Sequence, residues 1–308
     1  MSNKKVTVFI LTKNESLHIK RCLDSLRNIA DKIVIIDSFS TDDTKEICLS
    51  YGDLVEFSEH PWKNYADQFQ WGLDNHTVNT EWCMRMDADE YIDSELQNEL
   101  LSKLPELTGD INCIFIRRKY IYKNKWIRHG GVYPLNLLRV WRTGTGRIEQ
   151  RWMDEHIVVQ NPRTTQFHGH IYDHNLNDIR WWSDKHLNYA DREVVDLLNI
   201  KYSLFKKDDE VKKNGGFQEK IKRLLKEKIY FKLPPSLRSL LYFLYRYLLR
   251  LGFMDGSKGW DYHFLQGLWY RSYVDIRFKE LDNAISSITN KDEVLDYLSV
   301  KTGLNFKR

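Results

Sequence analysis

The chain reads as an α/β protein in which helices flank a mostly parallel sheet, and three observations predict this. Apolar or β-branched runs alternate with helical patterns through about the first hundred residues, the alternation that builds a layered α/β domain. The second run, 32–37, is almost continuously apolar, as expected of a parallel strand covered on both faces. Three of the runs end in polar clusters, and ligands of open α/β sheets sit beyond the carboxyl ends of the strands.

Taken in order, 6–12 is a short β-branched strand and 16–27 a helix. The strand 32–37 leads to Thr41-Asp42-Asp43-Thr44, which offers N-cap side chains to a helix reaching about residue 51. A third strand covers 54–57, a helix follows near 64–73, and a fourth strand ends at Asp87. Residues 110–175 are aromatic-rich, with strands expected at 113–122 and 137–141. Helical patterning returns over 176–198, and Gly215-Gly216 breaks a charged stretch near 206–214. The expected division is 1–105 as one half of an α/β domain, 106–200 as its second half, and 201–308 as a basic, helical, membrane-associating region. Gly144-Thr145-Gly146-Arg147 lacks the spacing of a phosphate loop and reads as a hairpin turn.

With 308 residues and 42% hydrophobic content, the chain can bury a sizeable core. Its net charge of +4 is unevenly spread. Residues 201–250 hold 14 Lys and Arg against 5 Asp and Glu, so the basic excess is local and suits a polyanionic surface. Cys22, Cys48, Cys83 and Cys113 form no Cys-x-x-Cys pair, which fits a reducing cytosol and argues against structural zinc or disulfides. With neither a signal-like N-terminus nor an uncharged run near the length of a spanning helix, the expected location is cytoplasmic.

The chemistry concentrates at Asp87-Ala88-Asp89, where an apolar strand runs into acids. Two carboxylates one residue apart can share a divalent ion, or one can hold metal while the other holds a ribose hydroxyl. Hard cations such as Mg²⁺ and Mn²⁺ take oxygen ligands and bind phosphorylated substrates through one or two carboxylates. Thr12-Lys13-Asn14-Glu15 and Asp37-Ser38 fall at the ends of the first two strands. Chemically neutral readings exist for each: a turn or cap for Asp37, and a solvated acidic loop for Asp87 and Asp89.

The stretches 8–15, 33–44 and 86–90, in this order and spacing, resemble the nucleotide-sugar site of the family 2 glycosyltransferases. These are inverting enzymes of the GT-A fold, and the chain is most similar to the bacterial branch that builds lipopolysaccharide cores, O-antigens and capsules. The resemblance covers about residues 5–200, and it implies that 1–105 binds the nucleotide-sugar and 106–200 the acceptor. It implies that Thr12, Asn14 and Glu15 lie around the nucleoside of a UDP-sugar, and that Asp37 meets its base or ribose. It also implies that Asp87 and Asp89 hold the ribose and a Mg²⁺ or Mn²⁺ that neutralises the diphosphate leaving group. Where relatives carry basic residues after the third strand, this chain has Asp67-Gln68-Phe69-Gln70.

An inverting transfer needs a base on the acceptor hydroxyl. By the resemblance, Glu155 matches best and Asp154 is close behind. A third metal ligand would come from Asp173 or His174, with His170 possible. Trp181 and Trp182 could stack on a sugar, although tryptophans on a helix are more often core.

On a helix over 235–251, Arg238, Arg246 and Arg250 fall within one sector, with Leu240, Leu244, Tyr247, Leu248 and Leu251 roughly opposite. This pattern suits an in-plane helix at an anionic membrane surface, and equally a helix docked on the catalytic domain with solvated arginines. The expected function is transfer of one hexose or N-acetylhexosamine, with inversion, to a membrane-anchored glycan acceptor on the inner face of the cell membrane. Nucleic acid is not expected as a partner, since no binding motif accompanies the basic patch. A processive synthase would need spanning helices and a Gln-x-x-Arg-Trp motif, which Gln150-Arg151-Trp152 does not supply. The competing reading is a catalytically dead, membrane-associated binding or scaffold protein on the same fold.

Overall fold

The computed structural model describes residues 6–149, 155–205 and 234–306. The chain divides into two compact units, the first spanning residues up to 177 apart from 129–131 and 150–154, the second taking those segments and residues 178–308.

The first unit is built on β1 (Val6–Thr12), β2 (Ala30–Asp37), β3 (Val55–Glu59) and β4 (Trp82–Asp87), with α1 (Ile19–Leu26), α2 (Thr44–Leu49) and α3 (Tyr65–Asn75) as crossovers. These four strands run parallel in the order β3-β2-β1-β4. After β4 come the short β5 (Glu90–Ile92) and α4 (Ser94–Ser102), then β6 (Cys113–Tyr122), β7 (Lys125–Ile127) and β8 (Leu135–Arg142). A small pair, β9 (Gly146–Ile148) and β10 (Ile157–Val159), precedes β11 (Thr164–Asp173). The main sheet continues past β4 as β8-β6-β11-β5, with β7 on β6. Only the β6–β11 pairing in that second half is parallel.

Alternation along the strands divides the core. Val8, Ile10, Ile33, Ile35, Met84 and Met86 pack with α1 residues on one side. Phe9, Val34, Ile36 and Cys83 pack with Phe69 of α3 on the other. Both faces are apolar because both are covered, hence the near-continuous hydrophobic runs. At Gly169 of β11, an added Cβ would stand 2.2 Å from the Leu96 amide nitrogen, so only glycine lets the N-terminus of α4 pack this close.

The turn at Gly144 forms as expected, with the Thr145 amide donating to the Arg142 carbonyl at 3.1 Å. It is not a hairpin, however, because β9 pairs with β10 and not with β8. Helix α4, capped by the Asp93 carboxylate at the Leu96 amide, was not anticipated.

In the second unit, α5 (Ile179–Tyr202) packs with the helices Tyr270–Ile285 and Lys291–Thr302 around Ala190, Val194, Leu198, Val274, Leu281 and Leu298. The helix 179–202 thus groups with the C-terminal helices, whereas the sequence suggested keeping it with the first 200 residues. Trp182 is core: it is buried, stacks on His186 at 3.5 Å between ring centroids, and lies against Trp269. The helix Pro235–Leu244 continues as a π-helical turn, Tyr245–Leu249. There the arginine stripe is corrected. Arg238 is buried and paired with Asp275, and Arg246 is buried with its Nε donating to the Gly130 carbonyl. Of the three, only Arg250 is exposed. A guanidinium turned inward needs such partners, and in this unit Asp275 and a loop carbonyl supply them.

Candidate active site

Sheet register brings the three clusters together. Thr12 of β1 is the Cα partner of Asp37 of β2, and Leu11 is the partner of Asp87 of β4. Parallel strands in register end level, so polar residues that close each run form one rim.

On this rim, the Thr12 hydroxyl donates to Asp37 Oδ1 at 2.7 Å, and Ser40 gives its hydroxyl to Oδ1 and its amide to Oδ2, both at 2.6 Å. Asp37 is buried, and these bonds make it the organiser of the β2–α2 turn. A carboxylate offers about four acceptor positions, so among the described residues one on Oδ2 remains. Asn14, in the left-handed region at φ 56° that Asn tolerates, accepts the Thr41 amide at 2.8 Å. The Glu15 amide donates to Thr44 Oγ1, and the Ser16 amide to Asp42 Oδ2. The loops after β1 and β2 are therefore zipped into one wall. The Glu15 carboxylate meets His18 Nδ1 at 2.7 Å, while the Leu176 amide donates to His18 Nε2. With Nε2 accepting, the ring proton sits on Nδ1 and is donated to Glu15.

Asp87 and Asp89 flank the turn into β5. Asp89 Oδ2 accepts from Asn175 Nδ2 at 3.0 Å, and its carbonyl accepts the His174 amide and an Arg21 N–H. Among the described residues, Asp89 Oδ1 takes no hydrogen bond. The Asp87 side chain, 42% exposed, meets Arg139 at 3.3 Å and Arg85 at 3.5 Å. Burial works to raise its pKa, but the guanidinium groups of Arg139 and Arg85 outweigh burial and hold it below the usual carboxylate range. Behind it, buried Glu90 accepts from Arg139 at 2.6 Å and from the Asp87 amide at 2.9 Å. Burial, reinforced by the charge of Asp87 against the pull of Arg139, raises its pKa. Arg85 also reaches Glu155, its NH2 group donating to Oε1 at 3.1 Å.

The expected third-ligand region does arrive here. Asp173 is the Cα partner of Glu90, and His174 follows it. Their side chains are committed, however. Asp173 pairs with Arg118 at 3.1 Å. His174 Nδ1 accepts from Arg21, so its proton lies on Nε2, which donates to Asn124. Burial and the neighbouring Arg21 lower the His174 pKa, keeping the ring neutral. His170 sits elsewhere, between Asp93 at 3.3 Å and the Tyr133 hydroxyl at 3.0 Å. Asp93, Glu95 and His170 have possible ligand atoms within 4.8 Å of one another, but Asp93 already caps α4 and accepts the His170 amide. Asp154 lies outside the described residues.

The oxygens of Asp87 and Asp89 suit a hard divalent cation that also needs phosphate oxygens. The long Asp87 contacts, and an Asp89 Oδ1 that takes no hydrogen bond from the described residues, leave acceptor capacity for one. Sequence reasoning missed Arg85, Arg118, Arg139 and Glu90. Arginines scattered over three strands carry no local motif, and only the register gathers them.

A family model described as glycosyl transferase family 2 matches residues 7–176. The lipopolysaccharide core biosynthesis glycosyltransferase LpsC of Rhizobium meliloti (strain 1021) is 31% identical over 298 residues, covering 91% of this chain and 97% of LpsC. The uncharacterized glycosyltransferase RP128 of Rickettsia prowazekii (strain Madrid E) is 40% identical over 97 residues, 32% of each protein. Among solved structures, S. aureus TarS 1–349 aligns with 90% of this chain and 91% of its own at 12% identity, with a TM-score of 0.43. With its parallel core, its acidic rim, a family match over more than half its length and a relative similar over nearly all of it, the chain belongs to glycosyl transferase family 2.

Proposed function

We propose that the protein is an inverting, metal-dependent transferase that moves one hexose or N-acetylhexosamine from a UDP-sugar to a membrane-anchored glycan in lipopolysaccharide core assembly. The observation that carries this reading is the joining of Asp87 to Glu155 through Arg85, on the same rim as Thr12 and Asp37. In this reading Thr12, Asn14 and Glu15 form the nucleoside wall, and the remaining Oδ2 position of Asp37 accepts an N–H of the base. Asp87 and Asp89 hold the ribose and a Mg²⁺ or Mn²⁺. When bound, that ion supplies charge neutralisation at the departing diphosphate. Asp173 and His174 reach it only if Arg118 and Arg21 release them.

Glu155 is the favoured base. Its side chain is 9% exposed, Oε1 is held by Arg85, and Oε2 takes no hydrogen bond from the described residues. That leaves Oε2 to accept the proton of an acceptor hydroxyl, with Arg85 fixing its direction. Asp154 keeps the second claim to this role. Similarity to LpsC supports the lipopolysaccharide setting. Among the described residues no helix is long and apolar enough to cross a membrane, which is compatible with a peripheral enzyme on the inner face.

Titration calorimetry with a panel of nucleotide sugars, in Mn²⁺ and then in EDTA, tests this reading. One UDP-sugar should bind with metal, and Asp89→Ala should abolish that binding. Absence of nucleotide binding by the folded protein would return the scaffold reading.

A further inference from the structure

We propose that the second unit seats in the interface of an anionic lipid bilayer by an exposed leucine-rich face, with Arg238 and Arg246 turned away from the lipid and Arg250 beside it. This deepens the membrane part of the reading above, but the face itself stands on observations outside the catalytic unit.

Leu237, Leu240, Leu241, Leu244 and Leu248 recur at helical spacing along the helix Pro235–Leu244 and its π-helical continuation, and they are 36–49% exposed. Leu249, 76% exposed, extends the face, and Phe253 and Met254 follow on the next turn, also exposed. The opposite side of the same helix is the buried one, holding Arg238, Ser239, Phe243 and Arg246. An ordinary surface helix has the reverse arrangement. Contiguous exposed apolar area of this extent marks an interaction surface.

Charge chooses among occupants. No Asp or Glu occurs between Pro234 and Met254, and Arg250 is exposed beside the leucines. The segment 206–233 immediately before, outside the described residues, carries ten Lys and Arg against five Asp and Glu. An apolar stripe with basic flanks matches a bilayer interface, where leucine side chains enter the acyl boundary and cations meet anionic headgroups. A second copy would bring like charge against like.

The test is flotation of the full chain with phosphatidylcholine vesicles, with and without phosphatidylglycerol, at low and high salt. Binding should be strongest with phosphatidylglycerol and should persist in part at high salt. Leu240→Gln/Leu244→Gln/Leu248→Gln should reduce partitioning at least about tenfold while the circular dichroism spectrum stays that of the parent. Because all four native cysteines are buried, Leu249→Cys can carry a polarity-sensitive dye, whose emission should shift to the blue on adding vesicles. Parental flotation of the triple variant, or an unshifted dye, would overturn the proposal. So would concentration-dependent dimerisation without vesicle binding, or capture of a protein partner by a chain that ignores lipid. Asp89→Ala should float like the parent, and a parent chain that floats but binds no nucleotide sugar with metal would sink the transferase reading alone.

Discussion

Arg85 NH2 donates to Glu155 Oε1 at 3.1 Å while Arg85 Nε lies 3.5 Å from Asp87 Oδ1. One guanidinium, packed over the Phe69 ring, therefore ties the favoured base to the first acid of the Asp-x-Asp turn. The fork of donors on arginine makes this double engagement possible, and lysine has no equivalent.

Arg85→Met should accordingly lower kcat by about a hundredfold through misorientation, with nucleotide-sugar affinity little changed. Arg85→Lys should recover only part of the loss. Steady-state kinetics on both variants checks this, and a change confined to KM would remove the positioning role.

Glu155→Gln should keep donor affinity and lose turnover by roughly a hundredfold or more. Asp154→Asn provides the comparison. If the Asn variant loses turnover and the Gln variant does not, the base is Asp154.

Arg139 pairs with buried Glu90 at 2.6 Å and also reaches Asp87. Without Arg139, buried Glu90, whose pKa burial already raises, takes up a proton, and the hydrogen bonds lost cost about 1–3 kcal/mol. Arg139→Met should lower the denaturation midpoint accordingly, and Arg139→Met/Glu90→Leu should restore much of it.

Acid should destabilise the second unit. Burial, aided by Arg246 at His263, pushes the pKa of both His263 and His186 down to about 4. The unfolded chain takes up these protons near pH 6.5, before the folded chain does. Stability is thus fully present above about pH 6.5 and declines as pH falls toward 4. Each group contributes about 2 kcal/mol of loss between about pH 7 and pH 5. Unfolding monitored against pH should show this slope, and His186→Phe should flatten it.

The alternating organisation of residues 6–87 was legible because strands covered on both faces are largely apolar, as β1 and residues 33–36 of β2 are, while the edge strand β3 is short and half polar. Thr12, Asp37 and Asp87 were legible as strand-end residues for the same reason. Less legible was the stretch 110–175, where β6 and β8 are recognisable but β11 is broken by a register shift between Gln166 and His170. The basic stripe at Arg238, Arg246 and Arg250 misled because helical spacing records which residues share a side, not which side faces inward.

By itself, the sequence determined the α/β order, the acidic rim and the family, since periodicity, strand-end chemistry and motif spacing are local properties. Tertiary structure alone decided which charges meet. Arg85, Arg118 and Arg139 come from separate strands and converge on Asp87, Glu90, Asp173 and Glu155 only through sheet register. It also decided that the leucines of 237–248 face outward while Arg238 turns to Asp275. Burial of a charge depends on a partner distant in the chain, and no local pattern encodes that partner.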